Sequence, residues 1–136
     1  MALVRDAMVP EPRTLPADAP AQEAGKLFLR PEVRAVFVCA AEQLVGVITR
    51  GTLVREVVAA GRDATAVRVG AIAEEPRHTL DSGLPLDEAF ALLEEHDLER
   101  VPVTERGRLV GVLSRAVVQR RLAEDEPPEP EPELAA

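Results

Sequence analysis

The chain has 136 residues, 46% of them hydrophobic, with one cysteine, no tryptophan or tyrosine, and a formal net charge of −8. That length suits one compact unit or two very small ones, with apolar residues enough for a single ordinary core. The longest unbroken apolar run, residues 35–41, falls far short of the ~20 residues of a membrane-spanning helix. The N-terminus MALVRDAMVPEP has no signal-peptide block, so a soluble cytoplasmic protein without a membrane partner is expected.

In chain order, LVRDAM reads as a short helix, and PAQEAGKLFL as an amphipathic one, with Ala21, Ala24, Leu27 and Phe28 at helical spacing. AVFVCA and LVGVI then read as the two strands of a hairpin around the turn signal AEQ, and after Thr49 a stripe of Leu53, Val54, Val57 and Val58 predicts a helix. AAGRDATAV loses periodicity and marks a join. The same order then returns: RVGAIAE, PLDEAFALLEEH with Leu86, Ala89, Phe90 and Leu93 on one face, RVPVTE, the turn ERGR, LVGVL, and a helix carrying Val117, Val118 and Leu122.

A shift of 65 residues superposes the two halves without a gap. It pairs Val4 with Val69, Thr14 with Thr79, Pro20 with Pro85, Ala24 with Ala89, Val36 with Val101, Leu44–Val47 with Leu109–Val112, Arg50 with Arg115 and Arg55 with Arg120. The chain is therefore read as an α/β (α+β) protein of two tandem β-α-β-β-α repeats, residues 1–60 and 61–123, each marginal alone. Residues 124–136, EDEPPEPEPELAA, alternate acid and proline and read as an extended, solvated tail, which is also a candidate docking segment for a basic partner. Six carboxylates in that tail leave residues 1–123 with 18 acids against 16 bases, a body too nearly neutral to attract a nucleic acid.

Few residues suggest chemistry. Cys39 sits in the apolar run as a small buried hydrophobe and can form no intrachain disulfide. His78 and His96 stand 18 residues apart with no further ligand at a metal-binding interval, so both read as separate surface residues and no metal site is expected. There is no nucleophile–base arrangement, and no catalytic residue is assigned. Thr49 and Ser114 each end a strand and open a helix, where a hydroxyl can cap the first N–H groups or those groups can hold a phosphate. Arg50 and Arg115 follow directly, able to make a charge-assisted phosphate contact or to lie in water, and Arg34 and Arg100 introduce the preceding strands.

The repeated unit, with RVPVTERGRLVGVLSR and its twin RAVFVCAAEQLVGVITR, resembles a CBS domain, and two in tandem resemble the CBS pair or Bateman module, over residues 3–123. The resemblance implies an internal pseudo-dimer with two clefts for adenine nucleotides (AMP, ADP, ATP) or S-adenosylmethionine, and further self-association such as a homodimer. It also implies regulation of a partner protein rather than catalysis, with no cofactor required. A ligand-free interaction scaffold is the alternative.

Where the family carries an aspartate for the ribose hydroxyls, this chain has Thr52 in the first repeat and Val117 in the second. Carried over from the family, one cleft groups Thr49, Arg50 and Thr52 with Thr79, Arg100, Val101 and Pro102. The other groups Ser114, Arg115 and Val117 with Thr14, Arg34 and Val36. The first is expected to be the better polar pocket, because Thr52 can still make a neutral hydrogen bond and Val117 none.

Overall fold

The computed structural model describes residues 1–10 and 12–125. The first repeat supplies helix α1 (Val4–Ala7), strands β1 (Val9–Pro10) and β2 (Thr14–Pro16), helix α2 (Ala21–Leu27), strands β3 (Val36–Ala40) and β4 (Gln43–Ile48), and helix α3 (Arg50–Leu53). A π-helical turn, Val54–Val58, continues α3. The second repeat supplies α4 (Val69–Ile72), β5 (Leu80–Asp81), α5 (Leu86–Glu95), β6 (Arg100–Glu105), β7 (Arg108–Ser114) and α6 (Arg115–Asp125). Helix α6 runs two residues beyond the expected start of the acidic tail, and the rest of that tail lies outside the described residues.

The strands lie in the order β2-β3-β4-β7-β6-β5, with β1 added beside β7. Each repeat makes a parallel pair across its helix (β2 with β3, β5 with β6) and then an antiparallel hairpin. A parallel pair needs such a crossover because its strands run the same way. The halves join where β4 pairs with β7 at Gln43 and Arg108, two residues related by the 65-residue shift.

Packing does not follow the sequence repeats. Val4 of α1 is buried with Leu86, Leu93, Val101 and Leu113 of the second repeat. Val69 and Ile72 of α4 are buried with Val36, Val38 and Ile48 of the first. The lead-in strands cross in the same way: Val9 pairs with Val112, and Glu74 bridges Val47. Each core is thus completed by the other repeat, so neither half can bury its apolar face alone.

This exchange explains the repeated glycine of LVGV. A Cβ at Gly46 would lie 2.6 Å from the Ala73 Cβ and 3.0 Å from the Glu74 carbonyl oxygen. One at Gly111 would lie 2.6 Å from the Met8 Sδ and 2.9 Å from the Val9 carbonyl oxygen. Only a residue without a side chain lets the crossing backbone come this close.

The stripe expected after Thr49 needs correction. Val57 is buried, but Val54 and Val58 are 55% and 72% exposed. The second repeat has Gln119 and Ala123 at those positions and a continuous α-helix there. The β-branched Val54, Val57 and Val58 crowd an ordinary helical turn, and the backbone takes the wider i→i+5 spacing, with the Ala59 N–H donating to the Val54 carbonyl at 2.7 Å.

Candidate functional site

Thr49 caps α3 with extended backbone at φ −117° and ψ 174°. Its Oγ1 accepts from the Thr52 N–H at 3.3 Å, and the Thr52 Oγ1 accepts from the Thr49 N–H at 3.0 Å. This is a capping box with a threonine in place of the usual acid or amide. Thr52 is fully buried, and its hydroxyl also meets the Glu74 Oε1 at 3.5 Å. Glu74, carried in by the crossing segment, pairs in turn with Arg55. The polar atom expected to face a ligand at position 52 is therefore turned back into the protein.

The matched arginines close the ends of their own repeats. Arg50 donates to the carbonyls of Phe28, Arg30 and Val33 at 2.8–2.9 Å, and its guanidinium lies 5.1 Å from the centre of the Phe28 ring. It thus ties together the segment just past α2, from the C-cap Phe28 to Val33. Arg115 pairs instead with Asp97 at 3.2 Å and Glu99 at 2.6 Å, just past α5. Both arginines act as fasteners within a repeat and lie outside the lining of the main cleft.

That cleft, of about 530 Å³, is lined by both repeats, a size within the usual range for small-molecule sites. Its walls come in pairs related by the repeat: Thr49 with Ser114, Val47 with Val112, Phe37 with Pro102, and Val33 with Leu98. Beyond their contact at Gln43 and Arg108, β4 and β7 carry no further cross-pair, and residues farther along both strands line the opening. The two expected groups thus share one continuous cleft.

Of the first group, Thr49, Arg100, Val101 and Pro102 line it; of the second, Arg34 and Ser114 do. Arg50, Thr52, Arg115 and Val117 do not, Thr79 is exposed on the surface, and Val36 is fully buried in the first core. Thr14 opens onto a separate, smaller hollow beside Lys26 and Arg30.

Sequence reasoning missed Arg13, Arg77 and His78, which also line the cleft. They sit in EPRT (residues 11–14) and EPRHT (residues 75–79). The shared EPR recurs at a shift of 64, one residue out of step with the repeat, so a gapless alignment hides it.

The two histidines, read as separate, stack with ring centres 4.4 Å apart. Among the described residues, no group of three or more His, Cys, Asp or Glu side chains is placed to hold a metal ion. Cys39 is half-buried at the end of β3, and burial pushes its thiol pKa up. No helix among the described residues is long and apolar enough to cross a membrane.

Comparisons with known proteins bear on the fold and the family. The chain is 30% identical over 102 residues to Hypoxic response protein 1 of Mycobacterium tuberculosis, covering 74% of this chain and 71% of that protein. It is 28% identical over 117 residues to the CBS domain-containing protein YhcV of Bacillus subtilis, covering 84% of this chain and 81% of that one. A crystal structure of Hypoxic Response Protein I with two coordinated zinc ions superposes with a TM-score of 0.76 at 26% identity, covering 89% of this chain and 99% of that one. CBSX2 in complex with AMP superposes with a TM-score of 0.73 at 22% identity, covering 92% and 98%. The CBS domain pattern itself matches residues 4–59 and again 69–124. With a duplicated unit, exchanged lead-in segments and both halves matched, this chain belongs to the CBS-domain proteins as a tandem CBS pair.

Proposed function

We propose that the chain is a regulatory module that binds an adenine nucleotide or S-adenosylmethionine in the cleft between its repeats and alters a partner protein, without catalysing a reaction. The observation that carries this reading is the cleft itself: apolar walls from both repeats, two hydroxyl residues at strand ends, and cationic side chains around them. The Ser114 side chain makes no hydrogen bond among the described residues, which leaves its hydroxyl available to a ligand. The AMP complex of a structurally similar CBS protein supports the ligand class. Leu29, just past α2, and Val54 and Val58 on the π turn are exposed apolar side chains that support self-association as a homodimer.

A thermal-shift titration with AMP, ADP, ATP and S-adenosylmethionine tests the reading. A ligand at 100 times its Kd stabilises the fold by about 2.7 kcal/mol, a rise of several degrees in Tm. No shift with any of them at millimolar concentration would overturn it. The inward-turned Thr52 and the apolar Val117 favour the second reading, a ligand-free scaffold, and a flat titration would leave that one standing.

A further inference from the structure

We propose that the cleft selects its ligand by phosphate charge and not by the ribose. The proposal deepens the nucleotide reading above and, for nucleotides, rests on it. Four arginines, Arg13, Arg34, Arg77 and Arg100, line the one cleft, two from each repeat, against a single acidic residue among the described ones, Glu32. None of the four makes an ion pair or side-chain hydrogen bond among the described residues. Arg50, Arg55, Arg68, Arg108 and Arg115, which lie elsewhere, are all engaged.

A chain of net charge −8 thus gathers unpaired cations on both sides of one concavity. Apolar walls beneath exposed guanidinium groups leave their field poorly satisfied, and a polyanion is the chemistry that satisfies it. Among the described residues no lining carboxylate stands at either strand end to accept from a ribose diol: position 52 is turned inward and position 117 is valine. The arrangement therefore rewards each added phosphate and is indifferent to the 2′-hydroxyl, and the cationic S-adenosylmethionine gains nothing from it.

Calorimetric titrations of the full chain in magnesium-free buffer decide the matter, with AMP, ADP, ATP, 2′-deoxy-ATP, S-adenosylmethionine and inorganic tripolyphosphate as ligands. ATP is expected to bind about tenfold or more tighter than AMP, because two further charges meet the guanidinium groups. Deoxy-ATP should match ATP within about twofold, tripolyphosphate should compete, and rising salt should weaken all three.

Arg34→Ala with Arg100→Ala should abolish tripolyphosphate binding at an unchanged ligand-free Tm. Arg62→Ala, distant from the cleft, should change neither. AMP binding as tightly as ATP, or deoxy-ATP binding tenfold more weakly than ATP, would overturn charge selection while leaving the nucleotide reading intact. Tripolyphosphate binding without any nucleotide would sustain charge selection and remove the nucleotide reading. Silence from every ligand would overturn both.

Discussion

The two repeats build the same strands and finish them differently. Both place a glycine under the crossing segment, both turn a hairpin through two residues of positive φ, and both open the following helix from a hydroxyl residue. Past that point the first repeat has a buried Thr52 tied into a capping box and a helix that widens into a π turn. The second has Val117 and eleven residues of unbroken α-helix. What is shared is what the exchange of segments demands. What differs sits at positions 52 and 117, and in the first repeat that position holds a buried capping contact.

The shared glycines are the most costly place to test this. An added methyl group in a close-packed region forces side chains or backbone to move, at roughly 1–3 kcal/mol and occasionally more. Gly46→Ala should fall at the upper end, because the new Cβ meets the Ala73 Cβ and the Glu74 carbonyl, neither of which can rotate away. Gly111→Ala should cost somewhat less: the Val9 carbonyl at 2.9 Å is equally fixed, but its closest neighbour is the flexible Met8 Sδ where Gly46 meets a rigid Cβ. Urea unfolding of the two variants should therefore rank them in that order. The reverse ranking would mean that the first repeat, not the second, yields around its visitor.

Position 52 comes next. Thr52→Val keeps the shape but leaves the Thr49 N–H without its acceptor, a loss of about 1 kcal/mol, the usual cost of a removed cap. Thr52→Asp, which writes the family residue back, should be no rescue: it would bring a second carboxylate beside Glu74, already 3.5 Å from the Thr52 hydroxyl. Adding Glu74→Gln should recover much of that loss, as expected for neighbouring charges of like sign. Chemical denaturation of the three variants checks the pattern, and independence of positions 52 and 74 would refute it.

The duplication, the order of elements and the hairpins were legible because they rest on local periodicity and turn chemistry, which single residues such as Pro20, Pro85 and Gly107 announce. The exchange of α1 and α4 was not legible, since Val4 and Val69 report only that they are buried and not in which core. Nor could the fate of Arg50 and Thr52 be read from their positions. Each was chemically suited to a phosphate or a ribose, and the carbonyls just past α2 and the carboxylate of Glu74 took them first. Arg34, Arg100, Thr49 and Ser114 did reach the cleft because strand ends fix their direction. Arg13 and Arg77 escaped notice because the EPR pair is one residue out of step with the repeat.

The turns provide the smallest contrast, and one of opposite sign. In the first repeat the two turn residues are Ala41 and Glu42, at φ 49° and 69°, and in the second they are Arg106 and Gly107, at φ 52° and 81°. Two-residue hairpins need positive φ at both places, and any side chain there carries a strain of about 1–2 kcal/mol that glycine avoids. Glu42→Gly relieves that strain. It also loses an exposed ion pair with Arg108, worth little, and loosens the unfolded chain by about 0.4–1 kcal/mol. The balance is a gain of roughly 0.5 kcal/mol, visible as a small rise in Tm. Gly107→Ala runs the other way, because it adds the strain and sets its Cβ against the Gln43 side chain, so a loss of about 1 kcal/mol is expected. If both substitutions lowered Tm equally, the turns would be equivalent, and the greater strain would have to lie elsewhere in the first repeat.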